Sequence, residues 1–451
     1  QGGDDILAFQ LGAALGQSGG IAVGNGGGNA AAVQRIAMVR DELKKAGATA
    51  LAVTGLDCVG WLTNMRARDL PCTPLAVAYA LVTMDSCTLF IAPGRLNDAD
   101  AKTLADNGVS LRDYPELIDT VHALPAEEVF LVDEKATNYD LYCALNEHKT
   151  VTGADPIFAL KGVKNPVELA GIRRAHLRDG VAVTKFLCWL DANRQGKTEL
   201  DIVEKLHAFR AKGDNYFSES FATIAASGPN GAVVHYHPDS HSNRRLDDNS
   251  LLLLDSGAQY EDGTTDVTRT VALGVPSREM AENFTLVLKA HIALSSAVFP
   301  THTPGGALDV LARAPLWNAG KDYNHGTGHG VGCFLNVHEG PQRISRSNGA
   351  YPLAAGMITS VEPGYYEENR YGIRIENLAE ITDAAPELPA GYLKFKNLTL
   401  IPIDKRLINK YLLNDGEIDW LNNYHRQVEE ALSPYLTAAE RNWLQEACSP
   451  L

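Results

Sequence analysis

The chain has 451 residues, of which 45% are hydrophobic, and a formal net charge of −15. This length suits two domains, or one large domain with a smaller one beside it. The acidic charge argues against nucleic acid as a partner, and no apolar run reaches the roughly 18 residues of a membrane span, so we expect no membrane interaction.

Residues 16–32, GQSGGIAVGNGGGNAAA, are small and uncharged, and we interpret residues 1–33 as a linker or tail. The N-terminus lacks the basic-then-apolar pattern of a secretory signal. The chain begins at Gln1 rather than at an initiator methionine, so we expect a fragment or a processed form. Its seven cysteines are scattered and include no C-x-x-C pair. We therefore expect reduced core thiols in a cytoplasmic protein, with Cys333 as a buried thiol rather than a nucleophile.

Helical and strand patterns alternate over residues 34–158, which predicts a small α/β domain. A helical pattern starts near Val33 and ends at Gly47, a residue typical of helix C-termini. Residues 76–92 have the pattern of a β-hairpin with its turn at residues 84–86.

A larger region follows over residues 159–400, and a C-terminal extension over residues 401–451. Pro166 can open a long amphipathic helix at the start of this region. Further helices are predicted at residues 198–213, 280–298, 307–320 and 415–436. Strands are predicted at residues 221–230, 232–238, 250–260, 265–273, 357–363 and 371–382.

Residues 325–341 read HGTGHGVGCFLNVHEGP, with three histidines on glycine-rich backbone. His325 and His329 have the spacing of a helical zinc motif, but each intervening glycine costs a helix about 1 kcal/mol relative to alanine. A phosphate-binding loop is also disfavoured, because neither glycine-rich phosphate pattern is complete. We interpret the stretch as a loop and strand whose backbone approaches a bound group, with histidines directed at it.

Two aspartates flank a predicted hairpin turn at Asp262-Gly263. A two-residue turn there places Asp255 opposite Thr270, with Asp255 and Asp266 on one face but about 13 Å apart along the strands. A bulge or a longer loop is needed to bring the two carboxylates together. Asp255 follows four leucines, so we expect it to be buried and balanced by a metal ion, a salt bridge or hydrogen bonds.

A second acidic pair lies in SVEPGYYEENRYGIRIEN. A three-residue loop centred on Asn369 places Glu362 directly opposite Glu376, where like charges repel. Arg374 on the same face could relieve the repulsion, and a metal ion would relieve it better. Four carboxylates with one or two histidines suit Mn²⁺, with Zn²⁺ or Co²⁺ as alternatives, and paired ions about 3.5–4 Å apart activate a shared water in hydrolases.

Four segments resemble the metal-binding segments of aminopeptidase P, the Xaa-Pro aminopeptidases, in order and in spacing: DSGAQYEDGTTDVTRT, HGTGHGVGCFLNVHEGP, EPGYY and GIRIEN. The resemblance covers about residues 34–451. It implies an α+β fold in which a smaller creatinase-type α/β domain precedes a pita-bread metallopeptidase domain. The C-terminal extension resembles that of long cytosolic members and implies a homodimer. Those members carry a further N-terminal domain that would end about where this chain starts. The segment NMRARD, residues 64–69, resembles the family's N-x-R-G-x-D pattern but has Ala67 in place of the usual glycine.

The resemblance also implies the roles of individual residues. Five residues are implied as ligands of two Mn²⁺ ions, with Asp266 and Glu376 bridging both: Asp255, Asp266, His329, Glu362 and Glu376. His235 and His338 are implied as substrate-facing catalytic histidines, and Glu362 as the residue that handles protons. His325, Tyr366 and Arg374 are implied at supporting substrate-binding positions.

The implied reaction releases the first residue of a peptide that carries proline at its second position, through a hydroxide held between the two ions. Prolidase activity on Xaa-Pro dipeptides is the close alternative, although HGTGHGVG and NVHEGP resemble aminopeptidase P more. A catalytically inactive pita-bread binding module is a third interpretation, which the presence of all five ligands disfavours. His237 and His241 are interpreted as exposed polar groups of a loop.

Overall fold

The computed structural model describes residues 21–23 and 31–451, so most of the predicted linker or tail lies outside the described residues. Two compact units make up the structure. The first ends at Glu168 and includes Phe334–Asn336, and the second comprises Leu169–Cys333 and Val337–Leu451. In the part of the chain that is described, no helix combines the length and apolar character that crossing a membrane requires.

The first unit combines strands and helices around a six-stranded sheet of order β6-β5-β4-β2-β7-β8, beside a short β1-β3 pair. Its strands are β1 (Ile21–Val23), β2 (Ala50–Val53), β3 (Met65–Ala67), β4 (Ala78–Thr83), β5 (Cys87–Ile91), β6 (Ser110–Arg112), β7 (Val129–Val132) and β8 (Lys149–Thr152). Its helices are α1 (Ala32–Ala46), α2 (Leu56–Thr63), α3 (Asp98–Asp106), α4 (Leu117–His122), α5 (Tyr139–Leu145) and α6 (Pro156–Gly162).

Two local predictions in this unit are confirmed. Gly47 ends α1 with a φ of 72°, a left-handed conformation that glycine adopts without steric cost. β4 and β5 form the predicted hairpin, in which Val82 pairs with Cys87 across the turn. Leu81 and Phe90 lie in the core of the unit, so the hairpin is fixed by burial as well as by its turn.

The second unit is built from fourteen strands and six helices within the described residues. Its strands are β9 (Tyr216–Glu219), β10 (Ile224–Ser227), β11 (Ser250–Ser256), β12 (Ala258–Tyr260), β13 (Gly263–Thr264), β14 (Val267–Leu273), β15 (Val298–Pro300), β16 (Gly328–Gly330), β17 (Glu339–Ile344), β18 (Ile358–Val361), β19 (Gly364–Glu367), β20 (Tyr371–Arg374), β21 (Asn377–Asp383) and β22 (Tyr392–Asn397). Its helices are α7 (Pro166–Asn193), α8 (Glu199–Arg210), α9 (Arg278–Ser295), α10 (Gly305–Trp317), α11 (Asp415–Leu432) and α12 (Ala438–Cys448).

These strands form four sheets, of orders β10-β11-β14, β13-β12-β9, β15-β22-β21-β18-β16-β17 and β19-β20. α9 shows how a helix is held against them. Ser277 accepts a hydrogen bond from the Met280 amide and caps its N-terminus. Phe284, Leu288 and His291 recur at helical spacing and are all buried, so this face of α9 joins the core of the unit.

Two predictions in the second unit are wrong. Residues 232–238 are not a strand. The short 3₁₀ turn Gly228–Ala232 leads into them. Tyr236 donates a hydrogen bond to the Glu199 carboxylate at 2.7 Å, which holds this segment against the start of α8. All seven cysteines are free, but the prediction of core thiols holds only for Cys58, Cys87 and Cys448. Cys333 is half-buried, as are Cys72 and Cys188, and Cys143 is exposed.

Candidate metal centre and substrate cavity

The register of β11 and β14 differs from the predicted one, and this difference brings Asp255 and Asp266 together. Asp255 pairs with Thr268 instead of Thr270. Residues 258–260 pair with β9 and with β13, so they leave the line of β11, and the tight turn lies at Glu261-Asp262 instead of Asp262-Gly263. Asp266 then lies two positions before the residue opposite Asp255, a diagonal relation that puts both side chains on one face at close range.

Glu362 and Glu376 face each other as predicted. β19 and β20 are joined by a three-residue loop centred on Asn369, whose φ is 60°. The flanking pairs Val361 with Asn377 and Gly364 with Arg374 keep the same register on both sides of the two glutamates. The short loop between the strands made this register readable from the sequence.

His329 lies on β16, beside the acidic residues. Its Nδ1 is 3.0 Å from the Gly330 carbonyl oxygen, an arrangement in which Nδ1 carries the proton and donates. Nε2 is then left with its lone pair, 3.5 Å from the Asp266 carboxylate and 3.4 Å from that of Glu362. A backbone contact that fixes the tautomer and turns the other nitrogen toward acidic groups is typical of metal-binding histidines.

Three overlapping groups in this region bring potential ligand atoms within 4.8 Å of one another. The groups are Asp255 with Asp266 and Glu376, His329 with Glu362 and Glu376, and Asp266 with His329 and His338. Asp266, His329 and Glu376 belong to two groups each, and two of these three are carboxylates. All five predicted ligands are therefore brought together, and His338 lies close enough to be a sixth.

The acidic cluster is not balanced by the protein alone. Asp255 Oδ1, Asp266 Oδ1 and Glu376 Oε1 are buried and have no hydrogen-bond partner among the described residues. Burial, reinforced by neighbouring carboxylates, raises the pKa of Asp266 and of Glu376 well above the ordinary range. A pair of divalent cations would satisfy the free oxygens and neutralise the charge, so this donor set fits a dinuclear metal site.

Arg374 holds the other side of the cluster. Its Nη2 donates to Asp255 Oδ2 at 2.6 Å, and its Nε donates to Thr268 Oγ1 at 3.1 Å. Its Nη1 donates to the Tyr366 hydroxyl at 2.5 Å, and that hydroxyl lies 2.9 Å from Nε2 of His325. Burial, followed by the charge of Arg374, lowers the pKa of His325 to about 3, so this imidazole is neutral.

A cavity of about 430 Å³ opens onto the cluster. The predicted substrate-facing residues His235, His325, His338 and Arg374 line it, together with all five predicted ligands. The His338 ring lies edge-on to that of His329, with centroids 4.4 Å apart. Tyr366 is not among the lining residues and contacts the cavity wall through His325 and Arg374.

The sequence analysis did not assign several other lining residues to the site, among them Phe221, His237 and Arg343. His237 is exposed, as predicted, but it belongs to the cavity wall, two positions after His235. Arg343 pairs directly with His329 across β16 and β17. The irregular register between these strands could not be predicted, because a long loop and a shift after His329 separate the paired positions.

Comparisons with known protein families identify the domains to which the site and the rest of the chain belong. Residues 28–168 match the creatinase/prolidase N-terminal domain, residues 170–383 match metallopeptidase family M24, and residues 391–451 match the C-terminal region of peptidase M24. They confirm the predicted fold class, a creatinase-type domain followed by a pita-bread metallopeptidase domain.

Individual relatives are similar over most of this chain. A probable Xaa-Pro aminopeptidase P from Sordaria macrospora is 42% identical over 441 residues, which cover 93% of this chain and 72% of the relative. Aminopeptidase P2 from Arabidopsis thaliana is 40% identical, with 92% of this chain and 64% of the relative covered.

A solved structure gives the same assignment. The crystal structure of X-prolyl aminopeptidase from Caenorhabditis elegans, described as a cytosolic enzyme with a di-nuclear active site, is 37% identical. It superposes with a TM-score of 0.92 and covers 96% of this chain and 73% of that chain. This chain belongs to the Xaa-Pro aminopeptidase (aminopeptidase P) group of the M24 metallopeptidases.

Proposed function

We propose that this chain is a dimetal aminopeptidase that releases the first residue of peptides with proline at the second position. The observation that carries the proposal is the set of three overlapping ligand groups within 4.8 Å, open to a cavity lined by histidines. The names of the similar proteins support the substrate class. The chain spans about 64–73% of the length of these relatives. The activity is therefore proposed for the residues of this chain, without the remaining parts of the relatives.

Five residues would hold the metal ions: Asp255, Asp266, His329, Glu362 and Glu376. Asp266, His329 and Glu376 belong to two ligand groups each. The His329 imidazole has one free nitrogen, whereas a carboxylate has two oxygens, so Asp266 and Glu376 would be the ligands shared by both ions. We propose Mn²⁺ for both positions because hard oxygen donors dominate the set, with Zn²⁺ or Co²⁺ as alternatives. When bound, the two ions supply a Lewis acid for the scissile carbonyl and an activated water.

The surrounding side chains have separate roles. His338 and His235 line the cavity and would donate hydrogen bonds to the oxygen of the scissile carbonyl, where negative charge develops. Burial raises the pKa of Glu362, and Ser360 Oγ donates to its Oε1 at 3.0 Å, so Glu362 is placed to accept and return a proton. His325, Tyr366 and Arg374 form a hydrogen-bonded chain that orients Asp255 and the cavity wall.

The substrate requirements follow from this arrangement. A free α-amine is attracted by the acidic cluster and, as the neutral amine, would complete the coordination of one ion. Proline has no N–H and fixes φ near −65°, so most peptidase sites, which rely on that N–H, reject the bond before it. The histidine-lined wall offers a surface for the ring in place of that missing hydrogen bond.

Three further features remain proposals. We propose a cytoplasmic location, supported by the similarity to a cytosolic relative. We also propose a homodimer, on the resemblance of the C-terminal extension to that of long family members. We also propose that the described chain is organised as an N-terminal domain over residues 34–158, a catalytic domain over 159–400 and a C-terminal extension over 401–451.

The proposal is tested with three peptides and the metal-loaded protein. Arg-Pro-Pro should release arginine, whereas the N-acetylated peptide should be inert, and replacing the first proline by alanine should lower kcat/KM at least about tenfold. Preference for the dipeptide Arg-Pro would assign prolidase activity instead. Cleavage of the acetylated peptide would exclude an aminopeptidase, and failure to cleave any peptide would favour a binding module.

A further inference from the structure

One cation in the cavity wall is not explained by the metal centre. Arg343 is half-buried on β17 and lines the cavity with His338 and His235. Its guanidinium has no hydrogen-bond or ion-pair partner among residues 31–451, whereas Arg374 in the same wall makes four hydrogen bonds through its guanidinium to Asp255, Thr268, Tyr366 and the Val234 carbonyl. A partly desolvated guanidinium that lacks an internal acceptor is available to an anionic ligand.

The sheet fixes where this cation lies relative to the metal ligands. In the strand order β21-β18-β16-β17, His329 lies on β16 and Arg343 on β17, while Glu376 directly precedes β21 and Glu362 directly follows β18. Arg343 is directly opposite His329, so both side chains point to the same face. Strands lie about 4.8 Å apart, so β17 is roughly 9–10 Å from β18, the strand that Glu362 follows.

We propose that Arg343 is a specificity-determining residue that binds a carboxylate on the residue after proline. The inference rests on the proposed function, which puts the peptide amine at the acidic cluster. Three extended residues span about 10 Å at roughly 3.3 Å each, so the third residue of the substrate comes within reach of the guanidinium. That carboxylate is the C-terminus of a tripeptide, or an acidic side chain at the third position of a longer peptide.

The chemistry of arginine suits this role. Its planar fork binds a carboxylate through two parallel hydrogen bonds, which lysine cannot reproduce. The contact lies beyond the scissile bond and is the same before and during reaction, so it should lower KM and leave kcat unchanged. A merely structural arginine would not distinguish an acid from its amide.

The test compares matched peptides. Arg-Pro-Ala is assayed against Arg-Pro-Ala-amide, and Arg-Pro-Glu-Ala-amide against Arg-Pro-Gln-Ala-amide, with wild type, Arg343→Gln, Arg343→Lys and the control Arg346→Gln. Arg346 is exposed and pairs with Asp322 outside the cavity lining. Wild type and the control should show a KM about tenfold lower for at least one of the two acids, while Arg343→Gln should lose the difference and Arg343→Lys should keep part of it.

A difference confined to the first pair assigns the tripeptide C-terminus, and one confined to the second assigns an acidic side chain. Equal KM values for both pairs in wild type, or a difference that persists in Arg343→Gln, would overturn the proposal. Binding of the product Pro-Ala and of its amide, measured by calorimetry on the metal-loaded protein, gives a readout independent of turnover. If no peptide is cleaved, the proposed function fails, and an unchanged acid-to-amide affinity ratio in Arg343→Gln decides separately against Arg343.

Discussion

Asp255 shows how one residue can be both held in place and left available. Its Oδ2 accepts a hydrogen bond from Arg374 at 2.6 Å, while its buried Oδ1 has no partner among the described residues. Asp266 and Glu376 likewise each have one buried oxygen without a partner. Carboxylates that are anchored on one side and free on the other are pre-organised for a cation, because little reorganisation is needed when it binds.

His338 separates catalysis from metal binding at the scale of one residue. We expect His338→Ala to lower kcat by about 10²–10³, because one donor to a developing oxyanion is worth roughly 2.7–4 kcal/mol. The measurement is kcat on Arg-Pro-Pro beside the metal content of the same preparation, with His241→Ala in the exposed loop as the control. Loss of metal in His338→Ala would mean that His338, which lies within reach of Asp266 and His329, is a ligand.

At the scale of elements, the site depends on strands that pack more closely than side chains would allow. A Cβ on Gly328 would lie 2.2 Å from the Ser360 carbonyl oxygen, whereas one on Gly326 would come no closer than 3.6 Å to another atom. Gly328 is the first residue of β16 and directly precedes His329. The glycines of this segment therefore allow the histidine strand to approach the strand that leads into Glu362.

We expect Gly328→Ala to force β16 away from β18 and to lower the free energy of unfolding by about 1–3 kcal/mol, as overpacking does elsewhere. Metal affinity should fall as well, because His329 moves with β16. Gly326→Ala in the same segment should change neither quantity appreciably. Thermal unfolding and metal titration of both variants check this, and an intact Gly328→Ala protein would contradict the close-packing argument.

A strand register could be predicted from the sequence where a short loop joins the two strands, and could not where the pairing residues are far apart in the chain. The Glu362–Glu376 pair was predicted because a three-residue loop joins its strands, so the register could be counted directly. The resemblance implied Asp255 and Asp266 as ligands, but the register that brings them together was not predicted, because residues 258–260 pair with β9, about 40 residues earlier in the chain. Arg343 was missed for a similar reason, since its pairing with His329 closes a long irregular loop.

The whole molecule should be stabilised by the metal ions that the cluster fits. Without cations, buried carboxylates repel and the pKa values of Asp266 and Glu376 are raised. A ligand that binds the folded state and not the unfolded state raises stability by RT ln(1 + [L]/Kd), about 2.7 kcal/mol at a hundredfold excess over Kd. Tm should therefore rise when Mn²⁺ is added to chelator-treated protein, while the Glu376→Ala variant should respond much less.

Acid should destabilise the molecule through its buried imidazoles. Burial lowers the pKa of His291 and of His425 to about 3, below the ordinary value of 6.5. Between these values the unfolded chain binds more protons than the folded one, so this stability is fully present above pH 6.5 and is lost as the pH falls toward 3. Each histidine should remove about 2 kcal/mol by pH 5.

His291→Gln should therefore show a smaller loss of stability between pH 7.5 and pH 5 than wild type, by up to about 2 kcal/mol. Urea unfolding of the metal-free proteins at both pH values measures the difference. Asp266 and Glu376 work in the opposite direction in metal-free protein, but they are common to both proteins and cancel in the comparison. An equal loss in wild type and variant would show that His291 is not held neutral in the folded state.

The central claim is that this carboxylate and histidine cluster holds two metal ions on which peptide cleavage depends. The most direct measurement is a titration of metal-free protein with Mn²⁺, in which bound ions per chain and Arg-Pro-Pro cleavage are followed together. Wild type and the exposed control Glu387→Ala should saturate at two ions, with activity rising in parallel, whereas Glu376→Ala, which removes a proposed bridging ligand, should bind fewer ions and lose activity. Two ions per chain and unchanged turnover in Glu376→Ala would contradict the claim.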